Sequence, residues 1–135
     1  MPSICVLDNL AAEGIALLKA DPRIEFDVRT GLAEAELQQA LNQYDGVILR
    51  SGVKITAQVL EGNTRLKAIV RAGVGTDNID KQAATRKGIV VMNTPTGNTL
   101  STAEHAVTLM LALSRNVAPA HQSLREGRWD RKKFT

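Results

Sequence analysis

Two arginines that each follow a short apolar run are the first residues in this sequence able to do chemistry. Arg50 and Ser51 come directly after Val47-Ile48-Leu49, and Arg71 opens Arg71-Ala72-Gly73-Val74-Gly75 after Leu66–Val70. A guanidinium donates two parallel hydrogen bonds to a carboxylate or phosphate. Glycines let backbone amides come close to a bound anion with no Cβ in the way. A third group, Asn93 through Asn98, follows Ile89-Val90-Val91-Met92 and contains Pro95 and Gly97, the marks of a loop or hinge. If the three runs are parallel strands, all three groups sit at carboxyl ends, where open sheets bind ligands near the reversal of strand order.

Plainer assignments compete at every one of these positions. Gly73-x-Gly75 lacks the third glycine of a dinucleotide fingerprint, because position 78 is Asn78, so alone it reads as a tight turn. Arg50 and Arg71, taken singly, read equally well as surface residues. Asp77 and Asp80 could serve acid–base work, but they suit capping of the following helix better. His105 and His121 have no second His or Cys at ligand spacing, so no metal site is expected, and His105 reads as a satisfied imidazole on a packed helix. Cys5 is the only cysteine and lies in an apolar run, which fits a buried, inert thiol in a reducing cytoplasm.

The elements that would position these groups alternate between strand and helix. Ile4–Leu7 reads as a strand, followed by helical spacing at Leu10, Ile15, Leu17 and Leu18. Ile24–Val28 alternates like an edge strand, and Leu32, Ala35, Leu37 and Leu41 return to helical spacing. Val47–Leu49 is a third strand, Thr56–Leu60 a short helix, and Leu66–Val70 a fourth strand. Asp80–Lys87 is a helix stopped by Gly88, and Ile89–Met92 is the fifth strand. Five such repeats predict an α/β fold with a doubly wound, parallel five-stranded sheet, in the flavodoxin-like order 2-1-3-4-5. Beyond the hinge, Ser101-x-x-Glu104 has the form of a capping box. It introduces a helix from Ser101 to Ser114 that is apolar nearly all round. The stretch from Arg115 onward reads as less regular.

Composition agrees with this plan. The 135 residues are 44% hydrophobic and only 3% aromatic, so the core must be aliphatic. The net charge of +3 is modest. The basic residues Arg125, Arg128, Arg131, Lys132 and Lys133 are interleaved with a single aromatic, Trp129, which suits a solvated segment better than a nucleic-acid surface. No apolar run approaches the ~20 residues of a membrane span. A receiver-type signalling domain shares the fold, but it would want an acidic cluster after strand one, an Asp after strand three and a Lys after strand five. The chain offers Asp8 alone, Arg50, and Asn93-Thr94.

In combination these residues resemble the D-2-hydroxyacid dehydrogenase family. The resemblance is carried by Arg71 through Asp80, by Ala84 through Pro95, and by Gly97-Asn98 and Ala103-Glu104-His105 at matching distances. Within the family it is closest to the branch that acts on 3-phosphoglycerate, through Arg86–Asn93 and Gly127–Phe134. The resemblance implies a two-domain enzyme that oxidises a 2-hydroxy acid with NAD, in serine biosynthesis for that branch. Residues 1–97 correspond to its flavodoxin-like substrate-binding domain, and residues 98–135 to the first helix and following loop of its nucleotide-binding domain. By matching position, Arg50, Ser51 and Asn98 contact the small anionic substrate. The backbone around Gly73, Val74 and Gly75 holds the carboxylate, with Val74 also on the nicotinamide side in the full-length enzyme. Arg71 either joins the contact or positions the loop.

The family's Gly-x-Gly-x-x-Gly turn and its catalytic Arg, Glu and His lie beyond position 135. The expectation is therefore an N-terminal piece of a longer enzyme, without catalytic residues of its own, inactive alone and with no NAD bound. Its apolar helix and one face of its sheet are left without partners. A homodimer through Ser101–Ser114 is expected in preference to a monomer with the helix folded back. Two alternatives stay open: a relative acting on glycerate, glyoxylate or lactate, and a non-catalytic flavodoxin-like dimerisation module.

Overall fold

Five four-residue stretches form the sheet. In the computed structural model, which describes residues 1–134, they are β1 (Ser3–Val6), β2 (Glu25–Val28), β3 (Gly46–Leu49), β4 (Ala68–Arg71) and β5 (Val90–Asn93). All four pairings are parallel and the order is β2-β1-β3-β4-β5, as the sequence predicts. The helices are α1 (Ala12–Ala20), α2 (Glu34–Leu41), α3 (Lys81–Arg86), α4 (Thr99–Ser114) and α5 (Val117–Arg125). The chain divides into two compact units, Met1–Gly97 and Asn98 onward.

The core of the first unit follows from the register. Cys5 pairs with Val47, Val47 with Ile69 and Ile69 with Val91, so these four share one face of the sheet. Against that face pack Leu37, Ala40 and Leu41 of α2, Ala83 and Ala84 of α3, and Val59 and Leu60 of the connection after β3. Burial pushes the Cys5 thiol pKa up, as suits an inert core cysteine. The opposite face is covered unevenly. Val6 is buried and Ile48 and Val70 are half-buried, but Val28, Val90 and Met92 are 54%, 57% and 44% exposed.

At the amino ends of the strands Asp45 ties three elements together. Its Oδ2 accepts the Ser3 amide at 2.9 Å, and Arg65 and Lys67 approach the carboxylate at 3.4 and 3.5 Å. The Ser3 amide, seconded by the Ser3 hydroxyl and Arg65, lowers the Asp45 pKa to about 2.

Four local expectations are corrected. Thr56–Leu60 is not a helix: Leu60 donates to the Thr56 carbonyl at 3.2 Å, but Glu61 and Asn63 then make tighter i−3 bonds. Gly62, at φ 70°, ends the turn, and so short a segment does not sustain a helix once its apolar residues are anchored. The segment is fixed instead by the Asn63 side chain, which accepts the Leu66 amide at 2.9 Å, and by the isolated bridge between Ile55 and Ile79.

In the second unit α4 begins at Thr99, with Asn98 before it, so Ser101 is not the cap. Its hydroxyl lies inside the first turn and donates back to the Asn98 carbonyl at 3.1 Å. The stretch after Arg115 is regular, because it forms α5. Asn116 takes the left-handed conformation at φ 52°, which Asn tolerates, and breaks the chain between the helices. Pro119 is the third residue of α5, where its missing N–H has no intrahelical acceptor to lose. No residue of α4 is buried, and His105 is exposed rather than packed. Among the described residues no helix is long and apolar enough to cross a membrane, and no group of acidic, His or Cys side chains is arranged to hold a metal.

Candidate functional site

Three loops leave the sheet side by side. Leu49 pairs with Arg71 and Arg71 with Asn93, so the chains that follow start from neighbouring strand ends. The Ala72 amide donates to the Leu49 carbonyl at 2.8 Å and the Thr94 amide to the Gly73 carbonyl at 3.0 Å, which continues the pairing past the strands. Asn93 Nδ2 adds a bond to the Val74 carbonyl at 2.7 Å. The predicted groups after β3, β4 and β5 within the first unit therefore do converge.

After β3 the chain makes the turn Arg50-Ser51-Gly52-Val53, with both Arg50 and Ser51 exposed. Neighbouring side chains hold its backbone. The Gly52 amide donates to Asp8 Oδ2 at 3.0 Å, and Asn78 Nδ2 donates to the carbonyls of Arg50 at 2.8 Å and Val53 at 2.6 Å.

The second arginine is placed differently. The Arg71 side chain is only 14% exposed, with Nη1 3.6 Å from Asp77 Oδ1 and a buried Nε that has no hydrogen-bond partner. Its guanidinium lies against the glycine loop: a Cβ on Gly75 would fall 2.6 Å from Arg71 Nη1, and one on Gly73 3.6 Å from Arg71 Cζ. Of the two cations, Arg50 faces solvent while Arg71 supports Gly73-Val74-Gly75 from beneath. Val74 and Gly75 are themselves exposed. Asp80 caps α3 by accepting the Ala83 amide at 2.9 Å, whereas Asp77 is turned out to solvent. Asn98 belongs to the second unit, where it precedes α4 and makes no side-chain capping bond.

The strand order reverses between β1 and β3, one pairing away from the glycine loop. A cleft of about 490 Å³ opens there, lined by Leu7, Asp8, Thr30, Leu37, Gly52 and Lys54 among others. It reaches the β3 turn through Gly52 and Val53 but not through Arg50 or Ser51. In the sequence Asn78 stands out only as a residue that is not glycine, and Asp8 only as a lone acid after the first strand; the structure shows both holding the β3 turn. Neither has a spacing signal, because each bonds to backbone distant in sequence.

Known proteins resemble this chain in sequence and in fold. The chain is 46% identical over 134 residues to a D-3-phosphoglycerate dehydrogenase of a Synechocystis species, covering 99% of this chain and 24% of the relative. It thus spans about a quarter of that relative's length. A solved structure from Pyrococcus horikoshii superposes with a TM-score of 0.83 at 32% identity, over 96% of this chain and 38% of the other. The 3-phosphoglycerate dehydrogenase of Entamoeba histolytica, solved with NAD+ bound, superposes with a TM-score of 0.70 at 32% identity, over 84% of this chain and 39% of that one. The family model for the D-isomer specific 2-hydroxyacid dehydrogenase catalytic domain matches residues 4–127, and to that family the chain belongs.

Proposed function

We propose that this chain is the substrate-binding portion of an NAD-dependent D-3-phosphoglycerate dehydrogenase, which makes phosphohydroxypyruvate for serine synthesis. The observation that carries the reading is the juxtaposition of an exposed guanidinium, Arg50, with an exposed glycine loop at adjacent strand ends. In this reading Arg50 and Ser51 hold the anionic tail of the substrate, and the backbone at Gly73, Val74 and Gly75 holds its carboxylate. Arg71 fixes the loop from below. Such charge-assisted bonds from a preformed loop orient the substrate and leave its C2 hydroxyl free for chemistry.

In the whole enzyme the chemistry that NAD would supply is a hydride acceptor for C2. The glycine loop present here does not fit its pyrophosphate. It has Asn78 where the third glycine of a fingerprint would be, and the space beside Gly75 is filled by Arg71. No step through the cofactor is derived from these residues, and Val74 is assigned to the nicotinamide side only in the whole enzyme. The similarity of 3-phosphoglycerate dehydrogenases to this chain supports the choice of substrate over lactate or glyoxylate.

Self-association completes the reading. Helix α4 exposes Leu100, Leu109, Met110, Leu111 and Leu113, an apolar surface that suits a second copy of the chain. Titration of thermal stability with D-3-phosphoglycerate, D-glycerate and D-lactate tests the substrate. A ligand specific for the folded state raises the midpoint with concentration. Equal responses to all three acids, or none, would remove the phosphoglycerate assignment.

A further inference from the structure

We infer that Asn78 is a positioning residue for the anion site, acting with Asp8 as a clamp on the turn that carries Arg50; the inference rests on the reading of Arg50 given above. Residues 50 and 53 are the first and last of a four-residue turn, and both of their carbonyls accept from the single Asn78 amide group, at 2.8 and 2.6 Å. One –NH2 bridging the two ends fixes their separation. On the other flank Asp8 Oδ2 accepts the Gly52 amide, and a Cβ on Gly52 would sit 3.0 Å from that same oxygen. The turn is therefore held on both sides while the Arg50 and Ser51 side chains stay exposed.

The donor is itself anchored. The Asn78 carbonyl accepts the Ile55 amide at 2.9 Å, and the Ile55 carbonyl accepts the Asp80 amide at 2.8 Å. Ile55 and Ile79, the bridging pair, are 1% and 4% exposed. Asn78 Oδ1 is buried without a partner, a cost that an apolar side chain at this position would not incur. What the position retains for that cost is a double donor aimed at the Arg50 turn. Arg50 thus meets an anion from a backbone whose geometry is set before binding, and less ordering remains to oppose association.

The test titrates the 135-residue chain with D-3-phosphoglycerate, and separately with inorganic phosphate, following amide shifts by NMR. The variants are Asn78→Asp, Asp8→Ala, Arg50→Ala and the pair Asn78→Asp/Arg50→Ala. The first two change local charge in opposite directions, so charge alone would move affinity in opposite directions. Loss of the clamp should instead weaken both by about fivefold, the equivalent of one or two net hydrogen bonds. In the Arg50→Ala background Asn78→Asp should add less than about twofold, because the clamp acts through Arg50. A purely structural staple would lower both backgrounds alike. If Asn78→Asp does not fold, Asp8→Ala and its pair with Arg50→Ala carry the same comparison. Opposite shifts for the two clamp variants would overturn the inference, as would affinity lost in Arg50→Ala but kept in both clamp variants; either leaves the Arg50 reading intact. An unsubstituted chain that binds neither anion, or an Arg50→Ala chain that binds as well as the original, would remove the Arg50 reading and this inference together.

Discussion

Alanine at Gly75 and alanine at Gly73 should behave oppositely, although the two glycines are two residues apart in one loop. Neither has a positive φ, so backbone conformation does not decide the outcome. At Gly73 an added methyl would meet Arg71 Cζ at 3.6 Å, an ordinary contact. Only the reduced freedom of the unfolded chain then counts, and Gly73→Ala should be neutral or stabilise by up to about 1 kcal/mol. At Gly75 the methyl would lie 2.6 Å from Arg71 Nη1 and 2.9 Å from Asp77 Oδ1. The first distance is roughly 1 Å inside normal contact. Asp77 is exposed and can rotate away, but the Arg71 side chain is 86% covered and cannot leave without vacating its place or lifting the loop. Overpacking of this kind costs about 1–3 kcal/mol, so after the unfolded-state gain Gly75→Ala should lose about 1–2 kcal/mol. For a unit of this size that lowers the midpoint by roughly 5–10 °C. Thermal melts of both variants, alone and with Arg71→Ala, measure it. Shortening Arg71 should remove most of the Gly75→Ala cost. Equal costs at the two glycines, or an undiminished Gly75→Ala cost beside Arg71→Ala, would refute the view that Arg71 occupies the loop's underside.

Arg50→Ala should weaken phosphoglycerate binding by about tenfold or more, as loss of a charge-assisted bond implies. Lys133→Ala should leave binding within about twofold, and calorimetry separates the two. The purified 135-residue chain should neither retain NAD nor form NADH from phosphoglycerate, which fluorescence reports directly. The Asp45 carboxyl titrates lower in the folded chain than its ordinary 3.8, so its contribution to stability is full above that pH and is lost as the pH falls toward 2. Asp45→Asn should therefore flatten the acid limb of a stability–pH curve and lower the neutral plateau; an unchanged acid limb would place the lost protons elsewhere. In the proposed dimer, Leu109→Glu with Leu113→Glu should shift the mass seen by light scattering to that of a monomer, and an unaltered mass would exclude α4 from the interface.

The sheet was legible because its evidence is local. Val47-Ile48-Leu49 and Ile89–Met92 are unbroken apolar runs that each follow a glycine, and right-handed crossovers leave few parallel orders to choose from. The connection after β3 was misread because apolar spacing at Val59 and Leu60 looks the same whether a helix or an anchored turn buries them. The helix start at Thr99 was misplaced because Ser101-x-x-Glu104 has the right residues, while nothing in Thr99 or Leu100 prevents the helix from starting earlier. In the site, the strand-end positions of Arg50 and Arg71 could be read from the chain, but their different exposures could not. That difference depends on which face Arg71 takes and on space made by Gly75. Asn78 and Asp8 act on carbonyls and amides 25 to 44 residues away, a relation that has no trace in sequence spacing.

Strand β5 has a neighbour on one side only, and Val90 and Met92 leave part of its surface open to water. Its end nevertheless supplies Asn93 and Thr94 to the glycine loop. A strand so placed belongs to the easily opened part of a fold, where amide hydrogen exchange proceeds by excursions smaller than global unfolding. Each time β5 peels from β4, Val74 loses its tether. The Arg50 turn does not, since β3 lies between β1 and β4. The two halves of the proposed anion site thus open with different free energies. A ligand long enough to touch both draws on the more labile half, and on binding it slows the exchange of β5 amides that it never contacts.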